Sequence, residues 1–367
     1  MTVATHNDLI EVSITRSPAA RSATFWRTVL LLVPQASNSL GGGRRVSYPS
    51  YASASAARTA GTISAATLIR LRAMFDQTPR IAGVVVARVD LAASETYTQA
   101  LMAAAADGID WWCVCCETRN NTTIRELAEG IEEMASTYEG RQNLIAQSSD
   151  AGCYGTLPVA LSEAADATDR LSIIYHPTDV TPMAEAWAGS IAARSPIEYA
   201  SPWVQRLQGA GVAASALSQV QLAAARDTNS VNVAAPFGTD ALRVFPGQTL
   251  SGRDGRELLA GDWLAWRAEV VLQDLLAARA NLGLPIPLTP AGQDMVVAAL
   301  SAILSEAVSI GHLEDQSDQE PPLPAASSPA LSDDDFSSRR IRAEMEGTHV
   351  GTAIRFTLGI NFQSGGE

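Results

Sequence analysis

The sequence predicts an α/β to α+β fold: a mixed sheet flanked by helices, with extended β-strand arms at the N- and C-termini. Three observations lead to this prediction. Apolar runs of strand length alternate with segments of helical spacing through the middle of the chain. Both ends carry the period-two alternation of a half-buried strand. A segment rich in acidic residues and proline precedes the C-terminal strand, and such a composition buries little apolar surface.

The first strand is expected near the N-terminus. The segment L-I-E-V-S-I-T-R places Ile10, Val12 and Ile14 on one face and polar side chains on the other. Pro18 ends this strand because proline has no N–H to donate to a sheet. Residues 1–25 are therefore predicted to form an N-terminal arm.

The body of the protein is expected to span residues 26–313, as one domain or as two subdomains. Buried strands are predicted for five apolar runs, residues 29–33, 83–89, 110–116, 143–147 and 170–175. Helical spacing of apolar residues predicts helices over residues 65–75, 95–106, 123–138, 161–168, 183–193, 263–281 and 290–309. Residues 38–62 are expected to form a loop, and residues 196–253 to hold hairpins and a short helix.

Three of these helices have recognisable start signals. Thr123 and Glu126 match the spacing of a capping box. Asp262 is a suitable N-cap for the first of the two long helices near the C-terminus. Thr289 is expected to cap the second, with Pro290 at the first helical position, where its missing N–H does no harm.

The end of the chain is expected to be a strand that follows a connection. Residues 314–340 contain four prolines and the run D-D-D, so this connection should be mobile or ordered only against a partner. Residues 341–367 are predicted to form a C-terminal strand arm. Its alternating apolar positions are Val350, Ile354, Phe356, Leu358, Ile360 and Phe362. The two terminal strands are either edges of the protein's own sheet or strands that join a neighbouring copy, which would make the protein polymerise.

The composition argues against two classes of protein. A net charge of −13 disfavours nucleic-acid binding, which requires a basic surface. No run of eighteen consecutive apolar residues is present, so we predict no membrane insertion. All 26 basic residues are arginine, whose planar guanidinium suits bidentate pairing with carboxylates between subunits. The N-terminus has no basic and apolar segments typical of a signal peptide, and we expect the protein in a reducing cytoplasm.

The four cysteines are expected to be core residues. Cys113, Cys115 and Cys116 lie in the apolar run W-W-C-V-C-C, where neighbouring positions of a strand face opposite sides of a sheet. Cys153 is separate. A zinc site or a disulfide is the alternative, but zinc ligands usually occur as C-x2–4-C on a turn.

The sequence offers one candidate for catalysis. It has no G-x-G-x-x-G, G-K-[ST] or G-x-S-x-G motif, and its four histidines lie in different segments. Among them, His176 follows a predicted strand, which is where α/β enzymes place catalytic groups. A structural histidine at the end of a strand explains the same pattern.

Several stretches, taken in order, resemble contractile tail sheath proteins of myophages and related injection machines, of a compact type. The stretch T-V-L-L-L-V-P comes first, and F-D-Q-T-P-R-I-A-G-V-V-V-A-R-V follows a variable loop. Later stretches are T-N-S-V-N-V, G-D-W-L-A-W-R and the final D-D-F-S-S-R-R-I-R-A-E-M-E-G-T-H-V-G-T-A-I-R-F-T-L-G-I-N-F. The resemblance covers the chain from about residue 25 to its end.

This resemblance implies a structural subunit with no cofactor, no metal and no catalytic residue. Sheath subunits form stacked hexameric rings around a tail tube and contract to drive the tube through the host envelope. The implied partners are further copies of the chain, the tail tube protein, and baseplate and tail terminator proteins. The implied location is the virion tail, after assembly in the host cytoplasm.

The resemblance also implies a role for the two arms, which add strands to the sheets of neighbouring subunits. The residues expected in these inter-subunit pairings are Ile10, Val12, Ile14, Ile354, Phe356, Leu358, Ile360 and Phe362. Two alternatives remain open at the level of sequence. One is a cytoplasmic α/β enzyme with a pocket near His176. The other is another self-assembling tail component, such as the tail tube subunit, which should be smaller and richer in β-structure.

Overall fold

The computed structural model describes residues 9–14, 25–35, 40–138, 141–194, 206–237, 239–284, 286–316, 318, 322, 324–338, 340–349 and 352–361. The chain divides into two compact units, the central unit (residues 21–255) and the terminal unit (residues 1–20 and 256–367). The helices after residue 255 thus group with the two chain ends. The boundaries predicted at residues 25, 313 and 340 concern the roles of the segments and stay predictions.

The described residues form strands and helices that alternate along much of the chain. The strands are β1 (Leu9–Ile14), β2 (Thr28–Pro34), β3 (Arg45–Tyr48), β4 (Gly83–Val89), β5 (Cys113–Cys116), β6 (Asn143–Ser148), β7 (Leu171–Tyr175), β8 (Arg206–Leu207), β9 (Asn232–Phe237), β10 (Thr239–Phe245), β11 (Ala325–Ser327), β12 (Arg340–His349) and β13 (Thr352–Asn361). The helices are α1 (Tyr51–Thr59), α2 (Ala65–Phe75), α3 (Tyr97–Ala106), α4 (Asn121–Tyr138), α5 (Val159–Ala167), α6 (Met183–Ala192), α7 (Gln219–Ala223), α8 (Gly255–Asn281), α9 (Pro290–Ser309) and α10 (Asp333–Ser338).

A nine-stranded mixed sheet forms the middle of the central unit, in the order β3-β4-β2-β5-β6-β7-β9-β10-β8. The six strands from β4 to β9 pair in parallel, and β3, β10 and β8 add antiparallel edges. Strands β5, β6 and β7 are buried along their whole length. Burial on both faces explains their continuous apolar sequences, because a parallel sheet is covered by helices on both sides. The predicted mixed sheet flanked by helices is confirmed.

Helices cover the two faces of this sheet as separate layers. Helices α3, α4 and α5 share one hydrophobic core with strand residues that include Leu30 and Cys116. Cys115 points the other way, and its Sγ lies 3.8 Å from the Ala184 carbonyl of α6. Helices α6 and α2 cross so closely that a Cβ at Gly189 would lie 2.7 Å from the Met74 backbone. Glycine is therefore required at this crossing.

The order of the parallel strands creates a switch point between β2 and β5. Among the parallel strands, β2 is followed in the chain by β4, which lies on one side of it, and then by β5, which lies on the other side. In the sheet order β4-β2-β5-β6-β7, the parallel strand that comes first in the chain, β2, lies between the second, β4, and the third, β5. This is a doubly wound arrangement. Proteins of this architecture usually bind ligands outside the carboxyl ends of the strands at the switch point.

The terminal unit combines a four-stranded sheet with two long helices. The sheet order is β1-β13-β12-β11, so the two ends of the chain meet in it. One face of β12 is buried through Ile341, Ala343 and Met345. In the helices, the Arg267 guanidinium of α8 pairs with Glu306 of α9 at 2.9 Å.

Helix α9 is long and apolar enough to cross a membrane by length and composition alone, a test that a core helix also passes. Its buried residues recur at helical spacing and include Val296, Leu300, Ile303, Leu304 and Ala307. This pattern is that of a helix with one face in a protein core.

Two predicted helix starts are wrong. Helix α4 begins before Thr123, and its cap is Asn120, whose Oδ1 accepts from the amides of Thr122 and Thr123 at 2.9 and 3.1 Å. Helix α8 starts at Gly255, so Asp262 lies inside it and is 1% exposed. Burial of Leu258 within the added turns favours this longer helix over a start at the polar residue.

Regular elements also occur where the sequence predicts loops. Strand β3 and helix α1 lie within residues 38–62, and β11 and α10 lie within the connection of residues 314–340. The segment predicted as one C-terminal strand arm, residues 341–367, holds two strands, because β12 precedes β13 and pairs with it in antiparallel fashion. Helix α1 buries only Ala54 among its residues, so it presents no apolar stripe that a periodicity argument could detect.

Candidate functional site

The four-stranded terminal sheet is the candidate assembly surface. Strand β1 pairs in parallel with β13, and the register places Ile10 opposite Phe356, Val12 opposite Leu358 and Ile14 opposite Ile360. The structure thus brings seven of the eight predicted arm residues into adjacent strands of one chain.

Strand β13 lies in the middle of this sheet. It also pairs with β12 in antiparallel fashion, with Gly347 opposite Ile354 and Met345 opposite Phe356. Phe362, the last predicted arm residue, lies outside the described residues. The pairing of these strands between copies of the chain stays a prediction.

The edges of the two sheets differ in how easily another strand could join them. At one edge of the central sheet, β3 has four residues, and Arg44 beside it pairs with Glu95. Arg45, at the start of β3, donates from Nη1 to the Gly108 carbonyl at 2.8 Å. At the other edge, β8 comprises two of the described residues. Short and charged edges resist strand addition, whereas β1 presents a six-residue apolar-alternating edge.

The switch point between β2 and β5 is filled by four charged side chains, which we call the ion-pair quartet: Arg70, Glu117, Arg119 and Glu185. Glu185 of α6 is fully buried, and Arg119 Nη2 donates to both of its carboxylate oxygens at 2.8 and 2.9 Å. Arg70 Nη1 lies 3.3 Å from the same carboxylate, and Arg70 Nε lies 3.4 Å from Glu117. The positive charges of the two arginines balance the negative charges of the two glutamates.

Backbone contacts fix the quartet at the carboxyl ends of the strands. The Glu117 amide donates to the Leu32 carbonyl at 2.9 Å, which joins the ends of β5 and β2. Arg119 Nη1 donates to the Cys116 carbonyl at 3.0 Å. The place where a doubly wound protein usually holds a ligand is thus occupied by paired side chains of the chain itself.

His176 lies at the carboxyl end of β7 and is 4% exposed. Its Nδ1 accepts from the Thr178 amide at 3.1 Å, and Gln147 Nε2 donates to the Thr178 carbonyl at 3.1 Å. Burial lowers the pKa of the imidazole, against the opposing effect of backbone hydrogen bonds. The contacts of His176 stabilise the turn between β7 and α6, as expected of a structural histidine.

The cysteines are buried free thiols, which agrees with the core positions predicted from the sequence. Burial raises the pKa of Cys116 to about 12 and that of Cys153 to about 11, so both thiols are protonated at neutral pH. Within the described part of the chain, no group of three or more His, Cys, Asp or Glu residues is arranged to hold a metal ion.

The ion-pair quartet and one further buried carboxylate, Asp335, are not among the functional residues predicted from the sequence. The run that contains Asp335 resembles a solvated acidic face, yet this residue is 1% exposed and pairs with Arg342 at 2.8 Å. A usable signal existed for Glu185. It is a lone charge in the apolar segment M-A-E-A-W-A-G, and a carboxylate buried in such a segment must be paired.

Comparison with known proteins gives matches in structure alone. No protein-family model matches the sequence, and no curated protein matches it. A sheath tail protein from Listeria innocua superposes with a TM-score of 0.60 at 12% identity, over 94% of this chain and 98% of that one. The helical sheath of the anti-feeding prophage in its contracted state superposes with a TM-score of 0.60 at 14% identity, over 96% of each chain.

This chain has the fold of the tail sheath proteins. The resemblance stated from the sequence is therefore confirmed at the level of the fold. The second of these neighbours is described as a helical sheath in its contracted state.

Proposed function

We propose that the protein is the subunit of a contractile tail sheath. The observation that carries this proposal is the fold, which matches two sheath proteins over at least 94% of the chain. In the proposal, copies polymerise as stacked hexameric rings around a tail tube. The sheath then contracts and drives the tube through the host envelope, and baseplate and tail terminator proteins bind at its ends. Assembly in the host cytoplasm places the protein in the virion tail.

The terminal strands are proposed to join the copies. Strands β1 and β13 come from opposite ends of the chain and pair in one sheet. A neighbour's β1 could replace the chain's own β1 in the same register, which would leave every pairing of the sheet intact. Such an exchange replaces the contacts between β1 and β13 of one chain by equivalent contacts between two chains. The concentration and geometry of the neighbours therefore decide whether it occurs. The predicted residues Ile10, Val12 and Ile14 would then contact strand β13 of another copy.

Contraction is proposed to move rigid bodies while these strands keep the copies joined. The extended state would persist because a kinetic barrier separates it from the contracted state. Arginine–carboxylate contacts between the bodies are suitable for exchange between the two states, since polar contacts can re-form with new partners.

Removal of residues 348–367 tests the proposed role of the terminal strands. The truncated chain should keep the circular dichroism of a folded central unit but fail to form tubes, because it lacks β13. Removal of residues 363–367 is the matched control, since it leaves β13 and Phe362 in place, and this variant should assemble. Tubes formed equally well by the longer truncation would refute the role of β13, and loss of the folded central unit would make β13 part of the core.

A further inference from the structure

The outer edge of β12, which faces away from β13, is covered by the connection that precedes it. At one end of the strand, the Glu314 amide donates to the Thr348 carbonyl at 2.7 Å. In the middle, β11 pairs with residues 344–346 in antiparallel fashion. Near the other end, Ser328 Oγ donates to the Arg342 carbonyl at 2.5 Å. Contacts of the connection therefore extend along most of this edge.

Side chains hold the connection in place at two points. The Asp335 carboxylate accepts from the Ser332 amide at 2.9 Å, from Ser332 Oγ at 2.7 Å and from Arg342 Nη2 at 2.8 Å. The Arg342 guanidinium keeps the pKa of this carboxyl well below its usual range, in spite of burial. At the second point, Gln293 of α9 donates from Nε2 to Ser328 Oγ at 2.8 Å and to the Pro329 carbonyl at 2.6 Å.

The covering segment is itself a poor template for a further strand. Strand β11 has three residues, and Pro324 and Pro329 lie close to its two ends. Proline cannot donate to a ladder, and very short strands are a recognised protection of sheet edges. The opposite edge differs, since β1 has six residues and pairs only with β13 among the described strands.

We propose that the described residues of 314–338 form an edge cap, which restricts strand addition to the β1 side of the terminal sheet. The partner is a terminal strand of a second copy of this chain, so the inference rests on the proposed function. A sheet that grows on one side only gives each copy one direction of linkage. Loss of the edge cap would allow a second strand to add beside β12, and the copies would associate irregularly.

The test uses two disruptive variants with matched controls. Ser327→Pro removes the N–H of a β11 residue that pairs opposite Glu344, and Ala330→Pro is the control at an exposed position outside the strand. Asp335→Asn removes the charge that pairs with Arg342, and Asp333→Asn is the control at an exposed position of the same helix. Circular dichroism of each full-length variant checks that it folds.

Hydrogen exchange and light scattering are then measured on the full-length proteins. Amide exchange over residues 342–348 should speed up about tenfold or more in both disruptive variants, as expected for the loss of a hydrogen bond, and should not change in the controls. Light scattering should rise in the same two variants, and electron microscopy should reveal irregular side-by-side aggregates. The edge-cap proposal is overturned if β12 exchanges faster in these variants but their scattering and particle shape match those of the wild type. It is equally overturned if the exchange does not change.

These outcomes are distinct from failure of the proposed function. Wild-type protein that forms no tubes with its tail tube would count against the sheath role. The comparison of scattering between disruptive and control variants would still decide whether the edge cap limits association, because it needs no tube.

Discussion

Replacement of Glu185 by glutamine is expected to destabilise the central unit strongly. The substitution keeps the shape of the side chain but changes the net charge of the ion-pair quartet from zero to +1, since two arginines then face Glu117 alone. Arg119 loses a carboxylate that it contacts at 2.8 and 2.9 Å, and Arg70 loses its contact at 3.3 Å. Because Glu185 is fully buried, water cannot replace it, and breaking such a pair costs about 3–5 kcal/mol.

The free energy of unfolding measured in urea, together with the midpoint of thermal unfolding, checks this value. For a unit of this size, the loss corresponds to a fall in Tm of roughly 10 °C or more. Glu163→Gln is the matched control, because Glu163 pairs with Arg125 at 2.5 Å but is 50% exposed. The control should cost only about 0–1 kcal/mol, since an exposed pair is screened by water.

A double variant separates the charge from the packing. Arg119→Met with Glu185→Met removes both members of the main pair and leaves Arg70 with Glu117, so the net charge stays at zero. This variant should be more stable than Glu185→Gln, because it leaves no unpaired buried charge. Equal costs for Glu185→Gln and Glu163→Gln would refute the reasoning.

Three further predictions concern the central unit. Gly189→Ala should cost about 1–3 kcal/mol in urea unfolding, because its Cβ would lie 2.7 Å from the Met74 backbone. Gly43→Ala, whose nearest neighbour would be at 3.4 Å, should cost about 0.5 kcal/mol or less. Since the folded-state pKa of His176 is lowered, the unfolded chain takes up this proton first as the pH falls below about 6.5. The wild type should therefore lose more stability between pH 7.5 and pH 5.5 than His176→Asn. The Cys153 pKa of about 11, against an ordinary 9.0, predicts labelling by a thiol reagent about a hundredfold slower than for a free thiol, and denaturant should remove this protection.

Local sequence signals predict the parallel core of the fold well. Helix α2 and strand β4 agree with the predicted residues 65–75 and 83–89 at both ends. The helix begins after Ser64, whose side chain accepts from the Thr67 amide and caps it. The strand contains four valines and is buried at six of its seven positions, as expected of a parallel strand that is covered on both faces. Strong caps and long apolar runs make these elements independent of distant contacts.

Elements that form because of contacts between residues distant in sequence are not predictable from local signals. Strand β12 alternates Ile341, Ala343 and Met345 with polar residues, but the sequence predicts one strand arm over residues 341–367 and does not separate β12 from β13. Alternation predicts the terminal strands, whereas the sheet order that joins them depends on residues at opposite ends of the chain. The ion-pair quartet is equally non-local, since 66 positions separate Arg119 from Glu185. Spacing in sequence carries no information about such a pair.

Electron microscopy of the purified full-length protein, mixed with its tail tube, tests the central claim most directly. The sheath proposal predicts striated tubes of uniform width around the tube protein, and their loss on removal of residues 348–367. Discrete small particles of the full-length protein, both alone and with the tube, would contradict the claim that this chain assembles a sheath.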